Sequence, residues 1–361
     1  MRNIYSYLFK AIEEKRRVAL ATIVEAKGST PQIPGASALF SAEGLITGTL
    51  GGGLLEGDAQ KKAAHALEGE KPELYGFNLQ DDISSEEGAI CGGVVKILID
   101  PSPEKDRVAF RRLHKSITER NAGVLATSIK RFHRDKISLS RTWVEKREID
   151  EARIKSPYSI ASEEINKVIS EGKPMFLEMK GKGFTSRAEE SFLFLEYIFP
   201  FPQLVIAGAG HVGQAVSHLG HLLDFEVTAI DDRAEFANSR RLPDADRIIV
   251  DYIGKAIRNF PVSRDTYVVI VTRGHHHDAE ALRGCIGTDA AYIGMIGSRR
   301  KLGLMRKKFI EEEWATPKQF DRVHAPIGVD INSKTVQEIA VSIAAQLVLK
   351  RRQAQEKLSR G

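Results

Sequence analysis

Cysteine is nearly absent, with only Cys91 and Cys285 in 361 residues. That excludes a disulfide-stapled scaffold and points to a reducing compartment. No apolar run approaches the roughly 18 residues that a membrane-spanning helix needs. The opening segment, Met1 to Lys10, has neither the apolar core nor the small-residue cleavage site of a secretory leader, so the cytoplasm is the expected location. Nor does charge of one sign dominate: 53 Lys and Arg stand against 48 Asp and Glu, a formal net charge of +5. The basic residues form no block interleaved with aromatics, which argues against nucleic acid as a partner.

What is present is enough apolar sequence for two cores of ordinary size. The most informative stretch is Gly208-Ala-Gly210-His211-Val-Gly213. It follows Gln203 to Ala207, which reads as a buried strand, and opens a helical pattern near Val212. The next apolar run, Glu226 to Ile230, ends in Asp231, about 20 residues beyond the turn, which completes the dinucleotide fingerprint. Each part has a physical task. Gly208 lets the chain turn out of the strand, Gly210 lets the backbone approach a pyrophosphate, and Gly213 lets the helix lie close to the sheet. The helix N-terminus then faces the anion, and Asp231 favours a ribose with a free 2′-hydroxyl. A Rossmann fold that keeps the turn without binding a dinucleotide is the alternative.

Strand and helix alternate regularly from there on, with further strands at Arg247–Val250, Tyr267–Val271 and Ala291–Met295 and a closing amphipathic helix over Thr335–Leu349. This predicts a Rossmann-like parallel sheet over residues 197–361. Residues 1–196 read as an α+β domain: a helix over Ile4–Arg16, a strand from Val18, glycine-rich loops at Gly28–Gly35 and Gly48–Gly53, a helix over Leu55–Leu67, and strands at Val94–Asp100, Lys173–Met179 and Ser191–Ile198. The overall fold class is therefore α/β. Val124 to Ile129 echoes Ala19 to Val24, which marks either two related strand units or chance.

Several constellations could carry chemistry. Ser298 is a good N-cap after Gly297, and Arg299, Arg300 and Lys301 place positive charge in a first helical turn, where the macrodipole disfavours it and a bound anion would offset it. His275-His276-His277-Asp278 reads either as the polar lining of a ligand cleft, with His275 and His277 on one face of an extended segment and Asp278 as N-cap, or as a metal site. Gly51, Gly52 and Gly53 before a helix form an anion nest, with Glu56 favoured in its first turn. Cys91, beside Gly92 and Gly93, is either a small buried residue or an approachable thiol able to handle sulfur or a soft metal. Cys285, on the apolar face of Ala281, Leu282 and Ile286, reads as core.

Taken in order, Gly28-Ser-Thr-Pro, Gly48-Thr-Leu-Gly-Gly-Gly-Leu-Leu-Glu56, Cys91-Gly-Gly, Val205 to Gly213, Ile293 to Lys301 and Ala325-Pro-Ile-Gly-Val-Asp330 resemble the XdhC/CoxI accessory proteins over nearly the whole chain. The resemblance implies a maturation factor for molybdenum hydroxylases such as xanthine dehydrogenase. Such a factor binds the molybdenum cofactor as molybdopterin or its dinucleotide, supports its sulfuration with a cysteine desulfurase, and hands it to the apoenzyme. It implies cofactor contacts at Gly51, Gly52, Gly53, Gly92, Gly208, Gly210, His211, Gly213, Asp231, Arg233, His275, Gly297, Ser298 and Arg299, with Glu56 and Cys91 acting chemically and Cys91 as the ligand to molybdenum. Leu54 stands where the CoxI branch carries a cysteine, which leaves Cys91 as the amino-terminal thiol and places the chain nearer the XdhC branch. Asp232 stands where proline is common, and Arg233 beside it suits either a carboxylate or a phosphate.

Two readings compete with the accessory protein: an NAD(P)-dependent oxidoreductase and a dinucleotide-sensing regulator. The first lacks a recognisable pair of proton-transfer residues. A homodimer is expected only because symmetric dimers are common.

Overall fold

The computed structural model describes residues 4–79, 92–133, 136–150, 162–179, 188 and 190–358. The chain divides into two compact units, the first running to Pro200 and the second from Phe201 to Leu358.

The first unit runs α1 (Ile4–Glu13), β1 (Ala19–Lys27), β2 (Ser37–Ser41), β3 (Gly44–Gly48), α2 (Gly53–Gly69), β4 (Glu73–Asn78) and β5 (Val94–Asp100). After a 3-10 turn at Pro103–Asp106 it continues with α3 (Arg107–Thr118), β6 (Gly123–Phe132), β7 (Lys136–Glu145), α4 (Lys146–Asp150), α5 (Ser162–Glu171), β8 (Met175–Glu178) and β9 (Glu190–Ile198). Its strands form two antiparallel sheets, ordered β3-β2-β1-β5-β4 and β7-β6-β9-β8. Apart from the added β3 in the first and the short added α4 in the second, these are one topology used twice: a helix, a hairpin, a helix, then two strands of which the last pairs with the first. The echo in the sequence lies at equivalent places, since Leu20 pairs with Leu39 and Asp100 while Leu125 pairs with Trp143 and Glu196. The leading helices also correspond: Tyr5 of α1 stacks on Phe110 of α3 at 6.1 Å. β1 is buried on both faces because Ala19, Ala21 and Ile23 pack under α2, while Leu20 joins α1 and α3 in a second core.

The two equivalent acids meet a shared polar cluster inside this unit. Tyr5 donates to both oxygens of Glu196, at 3.0 and 2.9 Å, and Arg141 pairs with Asp100 and with Asp106. Burial raises the Glu196 carboxyl, outweighing the hydrogen bond from Tyr5 and the charge of Arg141, and carries it from 4.5 to about 7. Folded protein therefore keeps a proton that unfolded chain loses, so this group's contribution to stability falls as pH rises between those values. We expect the unfolding free energy to decline between pH 4.5 and about 7, and Glu196→Gln to flatten that slope in denaturant titrations. Arg141→Leu leaves Asp100 buried without its cation and is expected to cost about 3–5 kcal/mol in the same measurement.

The second unit runs β10 (Gln203–Ala207), α6 (His211–Leu222), β11 (Glu226–Asp231), β12 (Arg247–Val250), α7 (Ile253–Arg258), β13 (Thr266–Ile270), α8 (His275–Cys285), β14 (Tyr292–Met295), α9 (Arg299–Glu311), α10 (Pro317–Phe320), β15 (Val323–His324) and α11 (Val336–Leu358). Its six strands are parallel in the order β12-β11-β10-β13-β14-β15. Alternation along β10 assigns the layers: Leu204 and Ile206 face a core with α6 and α11, and Val205 and Ala207 face one with α7, α8 and α9. This doubly wound sheet is the expected Rossmann architecture. It places a topological switch point between β10 and β13, where loops diverge to opposite faces. Cys285 is core, as its apolar neighbours predict, and burial pushes its thiol up to about 12.

Candidate functional site: two glycine cradles

In the second unit the three glycines of the turn differ in what surrounds them. Gly208 has φ +110°, and a Cβ there would lie 2.5 Å from the Val271 carbonyl oxygen. At Gly213 a Cβ would lie 1.9 Å from the carbonyl oxygen of Gly208, so only glycine lets α6 approach the strand. A Cβ on Gly210 would meet nothing within 4 Å. Gly210 is also the N-cap of α6 and has no side-chain cap, so the first amides of the helix face open space beside an exposed His211. That is the geometry for an anion.

Asp231 ends β11 beside this turn, yet its carboxylate is committed. Oδ2 accepts from the Ala209 amide at 2.8 Å and from Arg233 Nη2 at 3.0 Å; Oδ1 accepts from the Arg233 amide at 3.1 Å and Arg233 Nε at 2.9 Å. Burial alone would raise the carboxyl, but these donors outweigh it and hold the group below the ordinary aspartate range. Asp231 thus works as a clasp between the turn and Arg233, and both oxygens already have two donors.

Beyond β13 and β14 the two loops meet through the Asp278–Lys301 pair, with one departure from the sequence reading. α8 begins at His275 with Gly274 as N-cap, so Asp278 is not a cap. It is buried in the first turn, where it accepts from the Thr272 amide at 3.2 Å and hydroxyl at 2.6 Å and pairs with Lys301. This ion pair satisfies one of the three cations at the start of α9. Ser298 caps that helix through the Lys301 amide, as its position predicts, and a Cβ on Gly297 would lie 3.2 Å from the Lys301 stem. Arg299 and Arg300 stay exposed. Helical geometry also separates His275 from His277; the grouping capable of holding a metal is His276, His277 and Glu280, with ligand atoms within 4.8 Å of one another. Arg273 donates to His277 there at 3.2 Å, which sets a cation against any metal. Between α8 and α9 runs a groove of about 500 Å³ with an apolar floor of Ala279, Met305 and Phe309 and a rim of His275, Arg300 and Lys308.

The first unit holds the other cradle. Gly51, Gly52 and Gly53 all have positive φ (+117°, +75° and +57°), a run that side-chain-bearing residues resist. Glu56 fixes this loop: its Oε2 accepts from the Thr49 hydroxyl at 2.7 Å and the Leu50 amide at 3.0 Å, and Thr49 accepts from the Gly51 amide at 3.0 Å. A Cβ on Gly51 would strike Pro31 at 2.7 Å, whereas those on Gly52 and Gly53 would meet nothing within 4 Å. Gly52 is an N-cap without a side-chain cap. Gly93 packs on the Gly28–Thr30 loop, where a Cβ would lie 2.4 Å from the Ser29 carbonyl oxygen. Gly92 beside it is exposed, and Cys91 lies outside the described residues.

Residues 204–347 match the XdhC Rossmann domain, and residues 11–78 match the XdhC and CoxI family. The chain belongs to the XdhC and CoxI family. Proteins similar to it include the YqeB protein of Escherichia coli, 24% identical over 96% of this chain, which itself covers only 46% of that relative. A Bacillus subtilis protein named as a probable subunit of xanthine dehydrogenase is 24% identical over 98% of both chains. A crystal structure described as a xanthine dehydrogenase from Bacillus halodurans shares this XdhC fold, with a TM-score of 0.72, 23% identity and coverage of 98% of this chain and 96% of that one.

Sequence reading missed Thr49, Thr272 and the Asp278–Lys301 pair. Thr49 and Thr272 each stand two residues before a glycine, at loops already singled out, but their partners come from the next helix. The glycine environments yield a direct contrast. Gly213→Ala is expected to destabilise the protein by about 1–3 kcal/mol through backbone displacement, whereas Gly210→Ala, at φ −70°, leaves the melting temperature within about 2 °C. Thermal unfolding of the two variants checks both.

Proposed function

We propose that this protein is an accessory factor that matures a molybdenum hydroxylase of the xanthine dehydrogenase type by holding the molybdenum cofactor, supporting its sulfuration and releasing it to the apoenzyme. The observation that carries this reading is the pair of uncapped glycine cradles, Gly51–Gly53 at α2 and Gly208–Gly210 at α6, each opening backbone amides to an anion. Phosphate or pyrophosphate is the part of a pterin cofactor that such amides recognise. Membership of the XdhC and CoxI family, together with the xanthine dehydrogenase name of the Bacillus subtilis relative, supports the client class.

In this reading the chain's own residues bind and orient. Amides at Gly52–Leu54 or Gly210–Val212 would hold the phosphate end, with Arg299 adding charge beyond β14. Glu56 and Thr49 keep the first cradle in shape, so Glu56 is a positioning residue. The bound cofactor supplies the metal–sulfur centre that the hydroxylase needs. Cys91 is assigned the handling of sulfur or molybdenum on chemical grounds, because a thiolate is a soft ligand and nucleophile; Cys285 is buried with a raised thiol and unsuited to that task. A cysteine desulfurase is the matching sulfur source, and a homodimer is the expected assembly.

An NAD-dependent dehydrogenase fits less well, because both oxygens of Asp231 are taken by backbone and guanidinium donors and none is presented to a ribose diol. Anaerobic titration calorimetry of the reduced protein with molybdenum cofactor is expected to show stoichiometric binding that Gly52→Val weakens at least tenfold. Loss of the protein is expected to leave its hydroxylase client short of cyanolysable sulfur, and Cys91→Ala to reproduce that loss. Tight NAD(H) binding with the pterin silent would overturn the assignment.

A further inference from the structure

The carboxyl end of β11 carries a second feature that the maturation reading does not use. Two guanidinium groups converge on the ring of Phe236: Arg233 at 3.8 Å from its centroid and Arg241 at 4.5 Å. Arg233 spends its charge on Asp231. Arg241 makes no ion pair among the described residues, and its Nε is buried without a hydrogen-bond partner. A buried guanidinium nitrogen with no acceptor is costly, because desolvation is not repaid by any bond. The acids nearby do not answer it. Asp232 pairs with Arg273 at 2.8 Å, Asp231 is enclosed by its four donors, and Glu235 interacts with Arg233.

In a doubly wound sheet the end of the second strand lies where the adenosine ribose of a dinucleotide would sit. An acid there reads a free 2′-hydroxyl, and an arginine there accommodates a 2′-phosphate. Here the acid is consumed, and among the described residues Arg241 has no ion pair and no acceptor for its Nε. We propose that Arg241, with Arg233 and Phe236, forms a subsite for the 2′-phosphate of an adenine nucleotide, so that this cleft takes ligands of the NADP(H) class and discriminates against NAD(H). Planar guanidinium groups suit a phosphate through paired N–H donors, and Phe236 fixes their orientation. Asp231 contributes by locking Arg233 and the glycine turn in place without touching the ligand. The inference rests only on the glycine turn accepting a nucleotide pyrophosphate. It does not depend on where a pterin binds or on which hydroxylase is the client.

A pair of redox-silent ligands tests it on the unmodified full chain: ADP-ribose and its 2′-phosphorylated twin, titrated by calorimetry at low ionic strength. The 2′-phosphorylated member is expected to bind at least tenfold more tightly, and Arg241→Gln to remove that preference. Equal affinities for the twins would overturn the inference while leaving the cleft a nucleotide site, and so would a preference that survives Arg241→Gln. Binding of neither twin would overturn both the inference and the nucleotide reading of the turn, while molybdenum cofactor titration would report separately on the maturation role. The twin comparison needs no variant, so it stands even where Arg241→Gln fails to fold.

Discussion

The second unit is organised around one buried carboxylate. Asp231 is placed at the end of β11 by parallel register with β10, and from there it receives the Ala209 amide, the Arg233 amide and two guanidinium nitrogens. These bonds tie the glycine turn to the neighbouring strand end and fix the segment that follows. With the turn held, Gly213 can bring α6 against Gly208, and the uncapped amides at Gly210 keep a defined direction. The arrangement also explains why an acid in the fingerprint position does not imply a free ribose contact. A carboxylate has room for a few good donors, and in this chain the protein itself supplies them.

The first unit depends on a different device, the repetition of one small topology. Two helix–hairpin–helix–strand–strand motifs share cores in which Tyr5 meets Phe110 and Leu20 and Leu125 occupy equivalent positions. Repetition places two acids, Asp100 and Glu196, at corresponding points of the interior, and the added cation of Arg141 and the hydroxyl of Tyr5 satisfy them. Buried charge of this kind is weak support for stability but sensitive to the loss of any member. In the glycine cradle, Glu56 and Thr49 hold consecutive positive-φ residues that would otherwise be poorly defined.

Much of this was legible from local pattern. Buried parallel strands are continuous apolar runs, so β10, β11 and β13 and their order of appearance could be read, and glycine spacing identified both cradles. The strands β3, β4 and β7 and the helices α3 and α5 were not read: β3 and β4 are short and half-exposed, while α3, α5 and β7 are amphipathic but carry neither a glycine motif nor a long continuous apolar run. The echo at Leu20 and Leu125 was visible as a short match but became a duplication only through the matching strand orders. His275–His277 was misread as extended, since nothing local says that the α8 helix starts at His275.

The sequence by itself determined the two-unit organisation, the Rossmann class of the second unit, the family, and the location of the glycine-rich turns. These depend on periodicity and on backbone sterics, which act between near neighbours. Tertiary structure alone decided the partners of the charged residues: Asp231 bound to Arg233 and Ala209, Asp278 to Lys301 across separate helices, and the Nε of Arg241 left without an acceptor among the described residues. Coulombic and hydrogen-bond partners are chosen by distance in space, and residues 23 positions apart, such as Asp278 and Lys301, meet only because β13 and β14 lie side by side in the sheet.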